Sequence, residues 1–325
     1  MVTSSTTIMP KTTKSRNLMA STAIVQLGEV VNVAAVVHRS PFRYPGGKTW
    51  LVPRVRQWLK SLKPAPRELA EPFAGGAIVS LSALLEEIVQ QITMVEKDED
   101  VAAVWDVIIY GEGSRLANDI VAFNPTDENI KNQLKLPIAD RYQRAFTTIV
   151  RNRVQRGGII AAGASLLNKG ENKKGMRSRW YPETLKKRIN AIIEKRRQIA
   201  FIQGDGIDFI RYNAHRADTA FFIDPPYTQA ARRLYTFGEI DHRKLFKAAM
   251  KIKGDFLMTY DATEEIQKLA KEFGFQSEPV AMKNTHHEIM NDLVVGKNLA
   301  WLKSATEEPQ SERAAQPDSP AVTSP

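Results

Sequence analysis

The sequence has no cysteine among its 325 residues. That absence excludes disulfide scaffolds, thiolate zinc sites and any mechanism with a cysteine nucleophile. Long apolar runs are missing as well, since the longest candidate, residues 30–37, is interrupted by Asn32 and is far shorter than the ~18 residues of a membrane span. With 43% hydrophobic and 25% charged residues, the chain has the composition of a globular protein. We expect a cytoplasmic protein without a membrane partner.

Acidic residues are scarce in one central part of the chain. The whole sequence carries 46 Lys/Arg against 36 Asp/Glu, a net charge of +10. Residues 141–197, called the basic segment below, hold 16 Lys/Arg against three acids, so their net charge is +13 and the remainder is −3. A concentrated basic block indicates binding to a polyanion such as nucleic acid, and a solvated helical surface is the alternative. An anionic membrane is disfavoured because no apolar stripe opposes the charges.

Strand-like and helix-like patterns alternate along most of the chain. Apolar residues recur at helical spacing, for example at Leu51, Val55 and Trp58. Short apolar runs, which are typical of buried strands, occupy 69–70, 92–95, 200–202, 220–223 and 256–259. This alternation predicts an α/β fold in which a mostly parallel sheet carries helices on both faces.

Three segments fall outside this alternation. Residues 1–40 are rich in serine and threonine, and residues 304–325 contain almost no large apolar side chains, so we predict a disordered leader and a disordered tail. Residues 124–197 are polar, basic and largely helical, and we interpret them as an insertion. The main domain would then consist of 41–123 and 198–303.

The run Pro45-Gly46-Gly47-Lys48-Thr49 invites comparison with a phosphate-binding loop. That loop requires a glycine five residues before its final Gly-Lys pair, and this chain has Phe42 there. Nucleotide triphosphate binding is therefore disfavoured. What remains is a tight basic turn that enters a helix.

A glycine-containing turn, Glu71-Pro72-Phe73-Ala74-Gly75-Gly76-Ala77, follows one predicted strand directly. Glycine at such a turn lets the backbone approach a ligand closely. Glu96 ends the next strand, 21 residues after Gly75, which resembles the ~20-residue spacing at which a carboxylate accepts hydrogen bonds from a ribose. Asp98 is a second candidate for that role, and a plain strand–turn–helix is the alternative to a ligand site.

The most specific motif is Asp224-Pro225-Pro226-Tyr227, which follows the apolar run 220–223. Consecutive prolines cannot donate hydrogen bonds to a sheet, so the strand must end there in a stiff turn. Open α/β sheets bind ligands at the carboxyl ends of their strands. Asp224 and a proline carbonyl can accept N–H hydrogens from a planar amine while Tyr227 stacks on its ring. We therefore name Asp224, Pro225, Pro226 and Tyr227 as catalytic candidates.

Taken in order, these motifs resemble those of the DNA adenine-N6 methyltransferases of the Dam type. The resemblance covers roughly 41–302 and rests on Phe42-Arg43-Tyr44-Pro45-Gly46-Gly47-Lys48, Glu71-Pro72-Phe73-Ala74-Gly75-Gly76, Glu96, Gly204-Asp205 and Asp224-Pro225-Pro226-Tyr227. It implies a Rossmann-like, S-adenosylmethionine-dependent methyltransferase sheet with a mainly helical basic insertion. S-adenosylmethionine would be the cofactor, double-stranded DNA the partner, and a cognate restriction endonuclease a further candidate partner.

The resemblance also implies roles for individual residues. The cofactor-binding candidates are Tyr44, Lys48, Phe73, Gly75, Glu96, Asp205 and Asp224. In the insertion, which would recognise DNA, the DNA-binding candidates are Arg151, Arg153, Arg156, Lys173, Lys174, Arg177 and Arg179. The chain departs from the family in having Ala77 where a second glycine is usual and Glu96 where aspartate is commoner. Its insertion also lacks the familiar target-reading pattern.

The implied reaction is transfer of a methyl group to the exocyclic N6 amine of a flipped adenine. Cytosine C5 methylation is excluded, because it proceeds through a thiolate adduct. Methylation of the cytosine N4 amine or of adenine in RNA, and an inactive DNA-binding relative, remain alternatives. Tyr260 and Asp261 are candidates for the wall of the base pocket. We expect no metal site, since His286-His287-Glu288 lacks a third ligand at a usual spacing.

Overall fold

The computed structural model describes residues 36–43, 46–160, 164–167, 175–226, 240–283 and 289–304. Within these residues the chain forms a seven-stranded sheet with the order β3-β2-β1-β4-β5-β7-β6. The strands are β1 Glu68–Glu71, β2 Gln91–Glu96, β3 Ile199–Gln203, β4 Thr219–Ile223, β5 Asp255–Asp261, β6 Gln276–Lys283 and β7 Ile289–Gly296. The leader and tail that the sequence predicts lie outside the described residues, apart from 36–40 and residue 304.

The first five strands pair in parallel, and β7 runs antiparallel to both β5 and β6. The five parallel strands coincide with the short apolar runs in the sequence, and each strand is longer than its run by one to three residues. The strand order and the single reversed strand are those of the Rossmann-like methyltransferase sheet, so the predicted fold class is confirmed. Every residue of β1 and β4 is buried, which is the pattern of parallel strands covered on both faces.

Helices cover both faces of the sheet. They are α1 Val52–Ser61, α2 Ile78–Leu85, α3 Glu99–Ile109, α4 Gly113–Ala122, α5 Asp127–Lys135, α6 Arg141–Val154, α7 Pro182–Lys195, α8 Gly206–Asn213, α9 His242–Ala249, α10 Glu264–Glu272 and α11 Trp301–Ser304. Apolar residues of α1 to α7 share one core with Leu69, Phe222 and Leu257, whereas α8, α9 and α10 share another with Phe221 and Met258. Alternate residues of each strand thus face opposite layers. None of the described helices is long and apolar enough to cross a membrane.

The helices of the predicted insertion pack on the first of these two layers. Ile130 on α5, Ile149 on α6 and Ile189 on α7 are fully buried in the same core as Trp105 of α3. The insertion therefore shares the hydrophobic core of the main domain.

The free edge of the sheet at β3 is covered by a side chain. The Tyr110 hydroxyl, just after α3, accepts a hydrogen bond from the Phe201 N–H at 2.6 Å and donates one to the Phe201 carbonyl at 3.2 Å. Both groups of a β3 residue that points away from β2 are thereby satisfied without a further strand.

Candidate active site

The carboxyl ends of β1, β2, β3 and β4 surround one cavity. Its wall includes Lys48 from the turn before α1, residues 71–78 after β1, residues 95–98 at the end of β2, residues 204–206 after β3 and residues 224–226 after β4. Ligands of open α/β sheets bind at this edge. The structure therefore brings members of every motif in the resemblance to one cavity.

Lys48 and Asp224 form an ion pair in this cavity. Lys48 Nζ lies 3.0 Å from Asp224 Oδ1, and the two side chains are 4% and 20% exposed. The same ammonium donates to the Gly46 carbonyl at 2.8 Å, within the tight turn that the sequence predicts. The Thr259 hydroxyl on β5 donates to Asp224 Oδ1 at 2.6 Å. The basic turn thus serves to hold a carboxylate of the proline-rich motif.

The turn after β1 is tightly folded. Gly75 and Ala77 have φ angles of 47° and 50°, in the left-handed region that favours glycine. Ala77 is the residue that replaces a glycine of the family pattern, and it adopts a backbone conformation that costs an alanine about 1–2 kcal/mol. The Trp105 indole fixes the turn from below, donating to the Gly75 carbonyl at 2.9 Å.

Close backbone contact brings this turn against the start of α8. A Cβ atom on Gly206 would lie 2.2 Å from the Pro72 carbonyl oxygen and 2.9 Å from the Phe73 ring. Only glycine fits at this position without displacement of the turn. Gly206 was not predictable from the sequence, because a single glycine after Asp205 carries no recognisable signal.

Glu96 lies beneath the turn and binds its backbone. Its Oε2 accepts a hydrogen bond from the Gly75 N–H at 2.8 Å, and its Oε1 accepts from the N–H groups of Lys97 and Asp98 at 2.8 Å each. Burial raises the pKa of Glu96 to about 7 against the effect of these three donors. A carboxylate has about four acceptor positions, so one remains for a ligand.

Asp98 and Asp205 both cap helices. Asp98 was the second candidate for the ribose-binding role of Glu96. Its Oδ1 instead accepts hydrogen bonds from the N–H groups of Asp100 and Val101 at the start of α3. Asp205 accepts from Ile207 and Asp208 at the start of α8 and forms an ion pair with Lys97 at 3.1 Å. Partial burial opposes ionisation of Asp205, but the hydrogen bonds from Lys97 and the helix outweigh it and lower its pKa.

Glu71 is a further residue of the site, and its motif in the sequence implied no role for it. Its carboxylate, 3% exposed at the end of β1, accepts hydrogen bonds from the Ser80 N–H at 3.1 Å and from the Ser80 hydroxyl. Burial raises the pKa of Glu71 to about 8, and the nearby charge of Asp224 adds to the effect. Strand alternation could have located it, because Glu71 shares the face of Leu69 and hence that of the cavity.

Some of the remaining predicted site residues line the cavity, and others lie outside the described residues. Phe73, Pro225 and Pro226 line the cavity. Tyr44, Tyr227, Lys173, Lys174 and the segment His286-His287-Glu288 lie outside the described residues. Within the described ranges there is no group of three His, Asp or Glu side chains that could hold a metal ion.

The predicted DNA-binding arginines lie in unlike environments. Arg151 pairs with Asp100 at 2.6 Å, and Arg153, 3% exposed, donates to the Pro41 carbonyl. Burial lowers the pKa of Arg153 to about 10. Arg156 and Arg177 are exposed, and Arg179 is half-buried. Arg151 and Arg153 therefore stabilise the fold, and their assignment to DNA binding is weakened.

Tyr260 lies behind Asp224 and does not line the cavity. It is 1% exposed, and its hydroxyl lies 3.0 Å from His242 Nδ1. Burial raises its pKa well above the usual value. Its ring packs among Phe246 and other core residues, and the role of Tyr260 as a wall of a base pocket stays a prediction.

Comparison with known proteins adds little to this geometry. No family model and no curated protein matches the chain. Among solved structures, a candidate RNA methyltransferase from Pyrococcus horikoshii is similar at 11% identity over 81% of this chain and 92% of the other, with a TM-score of 0.39. A precorrin-6y C5,15-methyltransferase from Geobacter metallireducens matches at 11% identity over 76% and 86%, with a TM-score of 0.33. An rRNA methyltransferase from Streptomyces viridochromogenes matches at 12% identity over 74% and 79%, with a TM-score of 0.31. Such distant likenesses support no statement about the substrate.

Proposed function

We propose that this protein transfers a methyl group from S-adenosylmethionine to the exocyclic N6 amine of adenine in double-stranded DNA. The observation that carries the proposal is the position of Asp224-Pro225-Pro226 at the carboxyl end of β4, where a fixed carboxylate borders the cavity. The ordered resemblance to Dam-type enzymes supports adenine as the target. The charge of +13 in the basic segment supports a nucleic acid as the partner.

The cavity is chemically suited to S-adenosylmethionine. Five carboxylates line it, those of Glu71, Glu96, Asp98, Asp205 and Asp224, against the ammonium groups of Lys48 and Lys97. Even with Glu71 protonated, since its pKa is raised to about 8, the acidic side chains outnumber the two ammonium groups. This favours a ligand that carries positive charges, and S-adenosylmethionine has a sulfonium and an α-ammonium group. Glu96 has one acceptor position left for a ribose hydroxyl. When bound there, the cofactor would supply an electrophilic methyl group and leave as the neutral thioether S-adenosylhomocysteine, while the amine gives up one N–H proton.

Asp224 would prepare the amine for reaction. The lone pair of an exocyclic amine is delocalised into the purine ring, so the nitrogen is a poor nucleophile. A hydrogen bond from its N–H to Asp224, with a second to the Pro225 carbonyl, localises this pair and fixes its direction. The base must leave the duplex at a cost of a few kcal/mol, and stacking on Tyr227 would offset part of that cost.

The test is a methylation assay with defined nucleic acids. The protein is incubated with isotopically labelled S-adenosylmethionine and with duplex DNA of mixed sequence or with RNA, and the nucleosides are identified by mass spectrometry. We expect N6-methyldeoxyadenosine from the duplex. Label on cytosine, or on RNA alone, would overturn the proposed substrate, and DNA binding without any methylation would identify an inactive relative.

Asp224→Ala tests the role of the carboxylate. We expect transfer to fall by about 10³-fold, the upper range for loss of one fixed hydrogen-bonding group in an active site. Binding of S-adenosylmethionine, measured by calorimetry, should persist, because the other four cavity carboxylates remain. Full activity in this variant would contradict the proposal.

A further inference from the structure

The two carboxylate oxygens of Asp224 have different surroundings. Oδ1 accepts a hydrogen bond from the Thr259 hydroxyl at 2.6 Å and lies 3.0 Å from Lys48 Nζ. Across the residues that the structure describes, no group donates to Oδ2. Among these described residues, the contacts hold Oδ1 and leave Oδ2 open to a ligand.

The sheet register explains why Thr259 reaches Asp224. Ile223 on β4 pairs with Met258 on β5, so Asp224 and Thr259 are the next pair along the two parallel strands. Alternation places both on the face of Phe222 and Leu257, the layer against which α1 and α2 pack. Thr259 itself is fully buried. Its hydroxyl is thus presented to one side of a carboxylate that borders the cavity.

We propose that Thr259 is a positioning residue that, together with Lys48, fixes Oδ1 of Asp224 so that Oδ2 accepts the N–H of the target amine. This inference rests on the proposed function of the site. Lys48 alone would leave the plane of the carboxylate undefined, because an ammonium group is a point charge on a flexible stem. The hydroxyl adds a second, directional contact to the same oxygen. Rotation about the Cβ–Cγ bond is then restricted, and the two oxygens cannot exchange roles.

Three variants test the role of the hydroxyl. Thr259→Val keeps the shape of the side chain and removes the donor, whereas Thr259→Ser keeps the donor and removes a methyl group. Thr93→Val is the matched control: Thr93 is a buried threonine of the same sheet, its hydroxyl donates to Glu68 Oε1 at 2.7 Å, and it does not line the cavity. Each variant is assayed for kcat and KM on duplex DNA and for S-adenosylmethionine affinity by calorimetry.

We expect Thr259→Val to lower kcat about 10- to 100-fold, the range for a catalytic group displaced by up to ~1 Å. Its affinity for S-adenosylmethionine should match that of the wild type, while Thr259→Ser and Thr93→Val keep a kcat within about threefold of it. A structural role alone would affect Thr259→Val and Thr93→Val alike and would not separate kcat from binding.

Two results would overturn the inference. One is a folded Thr259→Val with wild-type kcat, and the other is a Thr259→Ser variant as slow as Thr259→Val. If the valine variant does not fold, Thr259→Ala takes its place, and if neither folds, the serine variant decides alone, since its retained hydroxyl must preserve kcat. Failure of the function itself is distinct, because the wild type would then methylate no nucleic acid.

Discussion

The carboxyl edge of the sheet and the basic segment are both rich in charge, but they use it differently. At the edge, carboxylates from four strand ends meet at a single cavity. In the basic segment, Arg144 and Arg151 both pair with Asp100, and Arg153 donates to a backbone carbonyl, so part of the positive charge is used within the protein. The order of strands in a sheet determines which residues converge. A count of charges along helices does not determine which of them reach solvent.

At the carboxyl edge of the sheet, convergence of the strand ends requires close packing of the turns between them. A substitution of Gly206 is the most severe test of that packing. We expect Gly206→Ala to lower the free energy of unfolding by about 1–3 kcal/mol, because its Cβ would overlap the Pro72 carbonyl. Gly204→Ala is the control, since the nearest atom to a Cβ there is 3.7 Å away. Chemical denaturation would measure both. Equal effects in the two variants would show that the close approach to Pro72 is unimportant.

The basic segment should instead respond through its exposed charges. Replacing both Arg156 and Arg177 by Gln is expected to weaken duplex binding about 10-fold and to reduce the slope of log K against log salt by about 1.8. Arg151→Gln should lower the melting temperature without changing that slope, because its guanidinium pairs with Asp100. Binding titrations at several salt concentrations measure the slopes. A slope reduced only in Arg151→Gln would reverse the distinction between the two groups of arginines.

A buried acid at the edge should make stability depend on pH. The pKa of Glu71 is raised to about 8, so its protonated form favours the folded state most fully below about pH 4.5, the unfolded value. That contribution is lost as pH rises towards 8. Glu71→Gln should therefore melt a few °C above the wild type at pH 9 and no higher than it at pH 4. Glu68→Gln, equally buried but paired with Arg216, should lower the melting temperature at both values. A pH-independent difference for Glu71→Gln would contradict the raised pKa.

The smallest expected effect concerns the backbone of the turn. Ala77→Gly relieves a left-handed alanine, and the gain is partly offset by the greater freedom of glycine in the unfolded chain, leaving at most about 1 kcal/mol of stabilisation. Ala83→Gly, in the middle of α2, should destabilise by about 1 kcal/mol. Thermal melts of the two variants would shift in opposite directions. A destabilised Ala77→Gly would mean that the methyl group packs better than the backbone conformation costs.

The parallel strands, and the meeting of the motifs at their carboxyl ends, could be predicted from the sequence. The runs at 92–95 and 220–223 became β2 and β4, and the motifs at their ends met at one cavity because parallel strands share an edge. Residues that act through side-chain contacts from another strand were not predictable. Thr259 reaches Asp224 only because β5 lies beside β4, and a single threonine in an apolar run carries no signal.

The basic segment shows the opposite limit. Its total charge was evident in the sequence, but Arg144 and Arg151 pair with Asp100 on α3, 44 and 51 residues earlier in the chain. Such pairing depends on how α6 packs against α3, which no local pattern encodes. The antiparallel strands β6 and β7 were likewise missed, since β6 begins with the polar residues Gln276-Ser277-Glu278 and the apolar residues of β7 are interrupted by Asn291-Asp292.

The Tyr110 hydroxyl at the β3 edge has a consequence for the behaviour of the protein at high concentration. A strand from a second molecule that extended the sheet along the whole of β3 would have to pair with the Phe201 amide and carbonyl, in the middle of the strand, and both already bond to this hydroxyl. A second strand would first have to displace the Tyr110 hydroxyl, which would then need new hydrogen bonds to water. Only after that could the strand bond to Phe201. The Tyr110 side chain thus protects this edge of the sheet against edge-to-edge aggregation.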